Sequence, residues 1–217
     1  MNYTKLLLCT IILVCFSAFK FENKPKVLII GDSISIGYTP FVKEQLKESA
    51  EVFHNPGNAQ HTGTGLKKIK DWIGTEDWDI IQFNWGLWDL CYRHPDSKVQ
   101  GKRDKVNGTL TFGLEDYEEN LDSIINIIKE TSNAKLIFVT TSYVPKNEAG
   151  RFKRDAIKYN KVALQVMKKY NVLVNDVYKT SKQIHKEYGK GSDDVHYKAQ
   201  GYKALGKLIS EFLIEHL

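Results

Sequence analysis

Short apolar runs alternate with longer amphipathic stretches along most of this 217-residue chain. The runs at 26–31, 51–54, 79–84, 135–141 and 172–175 read as strands. Val27 to Ile30, Ile80-Ile81 and Leu136 to Val139 are the clearest, being apolar and rich in β-branched residues, as expected of strands buried on both faces. Helical spacing of three and four residues fills the intervals. It places Phe41, Val42 and Leu46 in 40–49, and Leu66, Ile69 and Trp72 in 65–73. It places Tyr117, Leu121, Ile124, Ile125 and Ile128 in 115–131, and Ile157, Val162, Leu164, Val166 and Met167 in 151–170. A last helix at 198–216 carries Tyr202, Leu205, Leu208, Ile209 and Leu213.

This alternation predicts an α/β protein with a flavodoxin-like three-layer α/β/α sandwich around a five-stranded parallel sheet, in the order 2-1-3-4-5. Right-handed crossovers then bring the carboxyl ends of the first three strands to one edge, where such sheets bind ligands. Residues 90–114 break the pattern. They are polar, basic and without period, which reads as a functional lid or a mobile insertion.

Composition narrows the class. A hydrophobic fraction of 42% supports one proper core, and the net charge of +5 comes from scattered Lys and Arg. The charge reads first as a solvated surface, with a weak preference for acidic glycans or anionic surfaces as the residual reading. No zinc-finger, helix-turn-helix or aromatic RNA-binding motif is visible, which speaks against nucleic acid as a partner. Lys5 followed by the apolar run from Leu6 to Phe19 has the make-up of a signal peptide and is short for a membrane span. The expected organisation is a leader at 1–20 and a single domain at 21–217, exported to a periplasm or secreted, with no stable membrane insertion once the leader is cleaved. A retained short anchor is the alternative. Cys9 and Cys15 fall in the leader. Cys91 is then left alone, and reads as a small apolar filler.

The candidate chemistry sits where the first strand ends. Gly31-Asp32-Ser33 follows the run directly, and Ser33 reads either as a nucleophile or as a helix N-cap. Asp32 reads as a turn residue. Near the other end, Asp193 precedes His196 by three residues, ahead of the last helix. That spacing on a short turn lets the Asp193 carboxylate orient the imidazole, and leaves Asp194 as a solvated or capping residue. Donors for a developing oxyanion are the Ser33 N–H, the Gly57 N–H in Asn55-Pro56-Gly57-Asn58, and the Asn84 side chain. Trp85 and Trp88 read either as a sugar-stacking wall or as core. Arg151, Lys153 and Arg154 read as a solvated helix start, with binding of an anionic substrate as the alternative.

Gly31-Asp32-Ser33-Ile34-Ser35 resembles the first signature block of the SGNH/GDSL hydrolases. Gly57 is similar to the glycine of their second block, and Asp193-x-x-His196 resembles their fifth in spacing and in position before the last helix. Gly86-Leu87-Trp88-Asp89 fits the third block, with Trp88 where the family has Asn, so the amide role is carried to Asn84. The resemblance implies a cofactor-free, metal-free serine hydrolase with Ser33, His196 and Asp193 as triad and Ser33, Gly57 and Asn84 as oxyanion hole. With Trp85 and Trp88 as substrate wall, the expected activity is hydrolysis of acyl esters, acetyl foremost, of a carbohydrate or similar small substrate. A lipase or lysophospholipase and a catalytically impaired carbohydrate-binding protein are the alternatives. A nucleotide- or flavin-binding protein is disfavoured, because residues 31–37 hold neither G-x-G-x-x-G nor a P-loop lysine.

Overall fold

A computed structural model describes residues 24–217. The expected leader at 1–20, with Cys9 and Cys15, lies outside the described residues.

The central strand β1 (Lys26–Ile30) pairs in parallel with β2 (Glu51–His54) on one side and β3 (Ile80–Phe83) on the other. β6 (Lys135–Val139) and β7 (Leu173–Asn175) extend the sheet in parallel beyond β3, giving the order β2-β1-β3-β6-β7. This is the predicted order, and each strand lies within one of the five predicted runs. Val27, Ile29 and Ile30 are completely buried, because β1 has strands on both edges and helices on both faces.

Helices α1 (Ser33–Leu46) and α6 (Ala199–Ile214) pack together in one layer, while α2 (Thr62–Ile73), α3 (Leu114–Thr131) and α4 (Asp155–Tyr170) pack in sequence to form the other. α1 starts earlier than the apolar spacing predicts. Asp32 caps it, its Oδ1 accepting the Ile34 N–H at 2.9 Å, so Ser33 is the first helical residue.

Three further pieces are absent from the sequence reading. α5 (Tyr178–Tyr188) buries only Ser181 and His185, so it has no apolar stripe to reveal it. It leads into a two-stranded hairpin, β8 (Gly189–Gly191) and β9 (Asp194–Tyr197). Residues 90–114 are likewise ordered by a small antiparallel pair, β4 (Tyr92–Arg93) and β5 (Thr109–Leu110). This segment is pinned to the 146–151 loop: Tyr92 N–H donates to Gly150 C=O at 2.7 Å, and Lys105 N–H donates to Ala149 C=O at 2.8 Å. No helix among the described residues is long and apolar enough to cross a membrane.

Candidate active site

The turn after β1 puts Ser33 at the amino end of α1, half-buried, at the carboxyl edge of the sheet. Its Oγ lies 2.8 Å from His196 Nε2. His196 comes from β9, and its Nδ1 lies 2.5 Å from Asp194 Oδ1, which also accepts the His196 backbone N–H at 2.9 Å. Burial alone would raise the Asp194 carboxyl. The His196 N–H and imidazole, with Arg103 behind them, outweigh it and hold the group below the ordinary carboxylate range. An ionised Asp194 can only accept, so the ring proton sits on Nδ1 and Nε2 offers its lone pair to the Ser33 hydroxyl.

The expected Asp193–His196 pairing is therefore corrected. Asp193 is exposed in the turn between β8 and β9, and Asp194 takes its place. The reason is the pleat. Asp194 and His196 are two apart on one strand and share a face, while Val195 and Tyr197 point into the core at 2% and 1% exposure. His185 fixes the strand from behind, its Nε2 lying 2.7 Å from the Asp194 carbonyl.

The loop after β2 is fastened to the serine turn through Gly31. The Gly31 N–H donates to Asn55 Oδ1 at 2.9 Å, and the Gly31 carbonyl accepts from Ala59 N–H at 2.9 Å. Gly57, the expected second oxyanion donor, is exposed and faces a different groove, beside Ile36, Pro40 and His54. Asn58 lines the cleft with Ser33 instead. Its Oδ1 accepts the Gln60 N–H at 2.8 Å, which leaves Nδ2 without a partner among the described residues. Gln60 has a φ of 52° and Gly57 a φ of 69°, so the loop enters the left-handed region that favours glycine twice.

The turn after β3 also departs from expectation. Asn84 Nδ2 donates to the Val139 carbonyl at 2.6 Å, and the residue borders an internal cavity rather than the Ser33 cleft. Trp85 is fully buried, its Nε1 donating to the Ala59 carbonyl at 3.3 Å, and belongs to the core. Trp88 does line the cleft, with the Arg93 guanidinium 4.4 Å from its ring centroid. Gly86, at φ 139°, is required here because a Cβ would sit 2.0 Å from Thr141 Oγ1.

Asp89 closes this turn onto the second loop: Oδ1 accepts the Thr62 N–H at 2.9 Å and the Thr62 hydroxyl at 2.5 Å, while Oδ2 is buried without a partner. Burial, only partly offset by Thr62, pushes its carboxyl from 3.8 up to about 6. The folded protein therefore binds a proton more tightly than the unfolded chain, so the contribution of Asp89 is most favourable below pH 3.8 and becomes a penalty as pH rises through about 6. The full penalty is about 3 kcal/mol. Urea denaturation of wild type and Asp89→Asn at pH 4 and pH 7 should show wild type losing about that much stability relative to the variant. A difference that does not change with pH would show that Asp89 is not titrating in this range.

The remaining wall is cationic. Arg93, Gln100, Gly101 and Arg103 reach the cleft from the 90–114 segment, and Arg151 from the loop before α4. Arg151 is only 4% exposed, which overturns its reading as part of a solvated helix start. The cleft has a volume of about 220 Å³, and Leu87, Trp88 and Val195 are the only apolar residues that border it. A second serine–histidine pair also exists: Ser35 Oγ lies 2.7 Å from His54 Nε2. Ser35 is 1% exposed and His54 Nδ1 faces the Asn55 carbonyl rather than a carboxylate, so this pair braces β2 against α1.

The sequence-predicted residues thus divide: Ser33, His196 and Trp88 meet in one cleft, whereas Gly57, Asn84, Trp85 and Asp193 do not join them. Asn58, Asp194, Arg93 and Arg103 join them unforeseen.

No family model and no curated protein matches the chain. Solved structures do. A lipase/acylhydrolase from Enterococcus faecalis superposes with a TM-score of 0.70 at 23% identity, over 89% of this chain and 97% of its own. The acetyl xylan esterase AlAXEase matches with a TM-score of 0.68 at 16% identity, covering 87% of this chain and 99% of its own. Axe2, an acetylxylan esterase from Geobacillus stearothermophilus, gives 0.67 at 17% identity, with 91% and 96% covered. At these identities the likeness is one of fold, and the fold is the one that the SGNH/GDSL resemblance implies.

Proposed function

We propose that this protein is a serine esterase that removes short acyl groups, acetyl foremost, from a carbohydrate or a similar small ester. The observation that carries the reading is the continuous chain of contacts from Ser33 Oγ through His196 to the Asp194 carboxylate, opening on a cleft at the carboxyl edge of the sheet.

In this mechanism Ser33 Oγ attacks the ester carbonyl as its proton passes to His196 Nε2. Asp194 holds the tautomer and stabilises the imidazolium. The oxyanion is received by the Ser33 N–H, free at the first position of α1, and by Asn58 Nδ2. The C–O bond to the sugar breaks, and His196 returns the proton to the departing hydroxyl. Water, deprotonated by His196, then attacks the acyl-Ser33 carbonyl; the bond to Ser33 Oγ breaks as His196 hands that proton back to it, and the carboxylic acid leaves.

Both the acylhydrolase and the acetylxylan esterases named above share this fold, so the acyl length must come from the cleft. Its volume of about 220 Å³ and the many polar and charged residues in its lining favour a short acyl group, and the cavity beside Asn84 measures only about 20 Å³, room for one water. The purified protein should therefore hydrolyse 4-nitrophenyl acetate and acetylated oligosaccharides in preference to 4-nitrophenyl octanoate. Faster turnover of the octanoate would favour the lipase reading. Absence of both turnover and a phosphonate adduct on Ser33 would favour the binding protein.

The spacing of the acid is a point of contrast. In Axe2, catalytic mutants alter an aspartate and a histidine three residues apart. That spacing here would select Asp193, whereas the side-chain geometry supports Asp194. For the oxyanion, Asn58→Ala should lower kcat on 4-nitrophenyl acetate by about 10²-fold with little change in KM. Asn84→Ala should leave kcat near the wild-type value and lower stability by about 1 kcal/mol, through loss of the bond to Val139. The reverse pattern in these two variants would return the amide role to Asn84.

A further inference from the structure

The guanidinium groups around Ser33 are not equally neutralised. Glu148 is fully buried, and its Oε1 accepts from Arg103 Nη1 at 2.5 Å and from Arg151 Nη1 at 2.9 Å, while Oε2 accepts the Gly150 N–H at 2.8 Å. That one carboxylate is saturated by two arginines. Arg151 spends its Nε–H on the Leu87 carbonyl at 2.5 Å. Arg93 has no carboxylate partner among the described residues. It lies over Trp88 and donates through Nη1 to the Gly101 carbonyl, which leaves its other N–H groups unused.

The placement of Arg93 is costly without a ligand. It is half-buried, and it stands opposite Arg103 in an antiparallel bridge, where like charges repel. The other ionisable groups near it do not neutralise it. Asp194 is held by His196, and Asp32 is buried against the Ile34 N–H with its carboxyl pushed up by burial. His61 adds no compensating negative charge, and burial together with Arg93 keeps its imidazole below its ordinary range. An unpaired fork of N–H donors on an aromatic platform, a few side chains from a nucleophile, matches the planar geometry of a carboxylate.

We propose that the preferred substrate is an acyl ester of an acidic saccharide, whose sugar carboxylate is received by Arg93 with Arg103 beside it. This rests on the esterase reading and adds to it the charge of the acceptor. Because the Trp88 face is covered by Arg93, the tryptophan serves as the seat of the cation rather than as a stacking wall for a neutral sugar.

The test compares kcat/KM on O-acetylated trigalacturonate and on O-acetylated xylotriose for wild type, Arg93→Gln and Arg93→Lys. Wild type should prefer the acidic ester by about tenfold or more, chiefly through KM, and raised salt should shrink the preference. Arg93→Gln should abolish the ratio, and Arg93→Lys, which keeps the charge without the fork, should restore part of it. Wild type that turns over the neutral ester as well as the acidic one overturns the proposal. So does an Arg93→Gln protein that loses activity on both while keeping the ratio, since that marks Arg93 as a staple of its own loop. Calorimetric titration of Ser33→Ala with unesterified trigalacturonate separates this site from the chemistry. Binding that needs Arg93 supports the acid site even where every ester assay is blank, and no binding at low salt counts against it.

Discussion

Ser33→Ala should lower turnover of 4-nitrophenyl acetate by about 10⁴-fold or more, and His196→Ala should lower it as far. The two act as one unit. Among the described residues His196 is the one base bonded to the serine hydroxyl, and Asp194 fixes the tautomer from the opposite side of the ring. The double variant should therefore be no slower than either single one. Initial rates with burst-phase stopped flow check this. Losses that multiply in the double variant would mean that the groups work independently, and that the contact at 2.8 Å is structural.

The second large effect separates two neighbouring aspartates. Asp194→Ala should cost about 10⁴-fold in kcat, the size of loss expected when an imidazole is left free to adopt the wrong tautomer. Asp193→Ala should leave kcat near that of wild type, since its carboxylate is exposed in the hairpin turn. Circular dichroism on both variants guards against trivial unfolding. Asp194→Asn is the sharper probe: it keeps the shape and the N–H contact of His196 but replaces the fixed acceptor by an amide able to donate to Nδ1. If Asp193→Ala is the inactive protein and Asp194→Ala the active one, the orienting group belongs to the turn and not to the strand.

The sheet was legible because its three inner strands are buried on both faces. That burial demands unbroken apolar runs, and the runs at Val27–Ile30 and Leu136–Val139 have few other readings. α5 was not legible, since its lysine-rich surface leaves only Ser181 and His185 inside. In the candidate site, Ser33 was picked out by its place after a strand end and His196 by its place ahead of the last helix, and the structure brings the two within 2.8 Å. Asp193 was preferred over Asp194 by treating the segment as a loose turn. The signal against that choice was present: Asp194-Val195-His196-Tyr197 alternates polar and apolar, the mark of a half-buried strand whose first and third residues face the same way. Gly57 was chosen for its missing side chain, yet it is Asn58, one residue on, that lines the cleft with Ser33. The placement of Asn84 was not legible because β6 lies beside β3, and the carbonyl at Val139 engages its amide. Such competition between tertiary partners is invisible to spacing.

Ser33 and His196 are 163 residues apart in the chain. They meet because α1, which starts at the nucleophile, is clasped by α6, with Gly37 against the Tyr202 ring and Gly206 against Phe41. A stretch of chain that stops short of the β8–β9 hairpin therefore holds position 33 as an alcohol without the imidazole beside it. The serine's hydrogen-bond partner is thus a product of tertiary closure and not of local sequence, so a cut anywhere between the two that lets α6 drift from α1 should pull them apart.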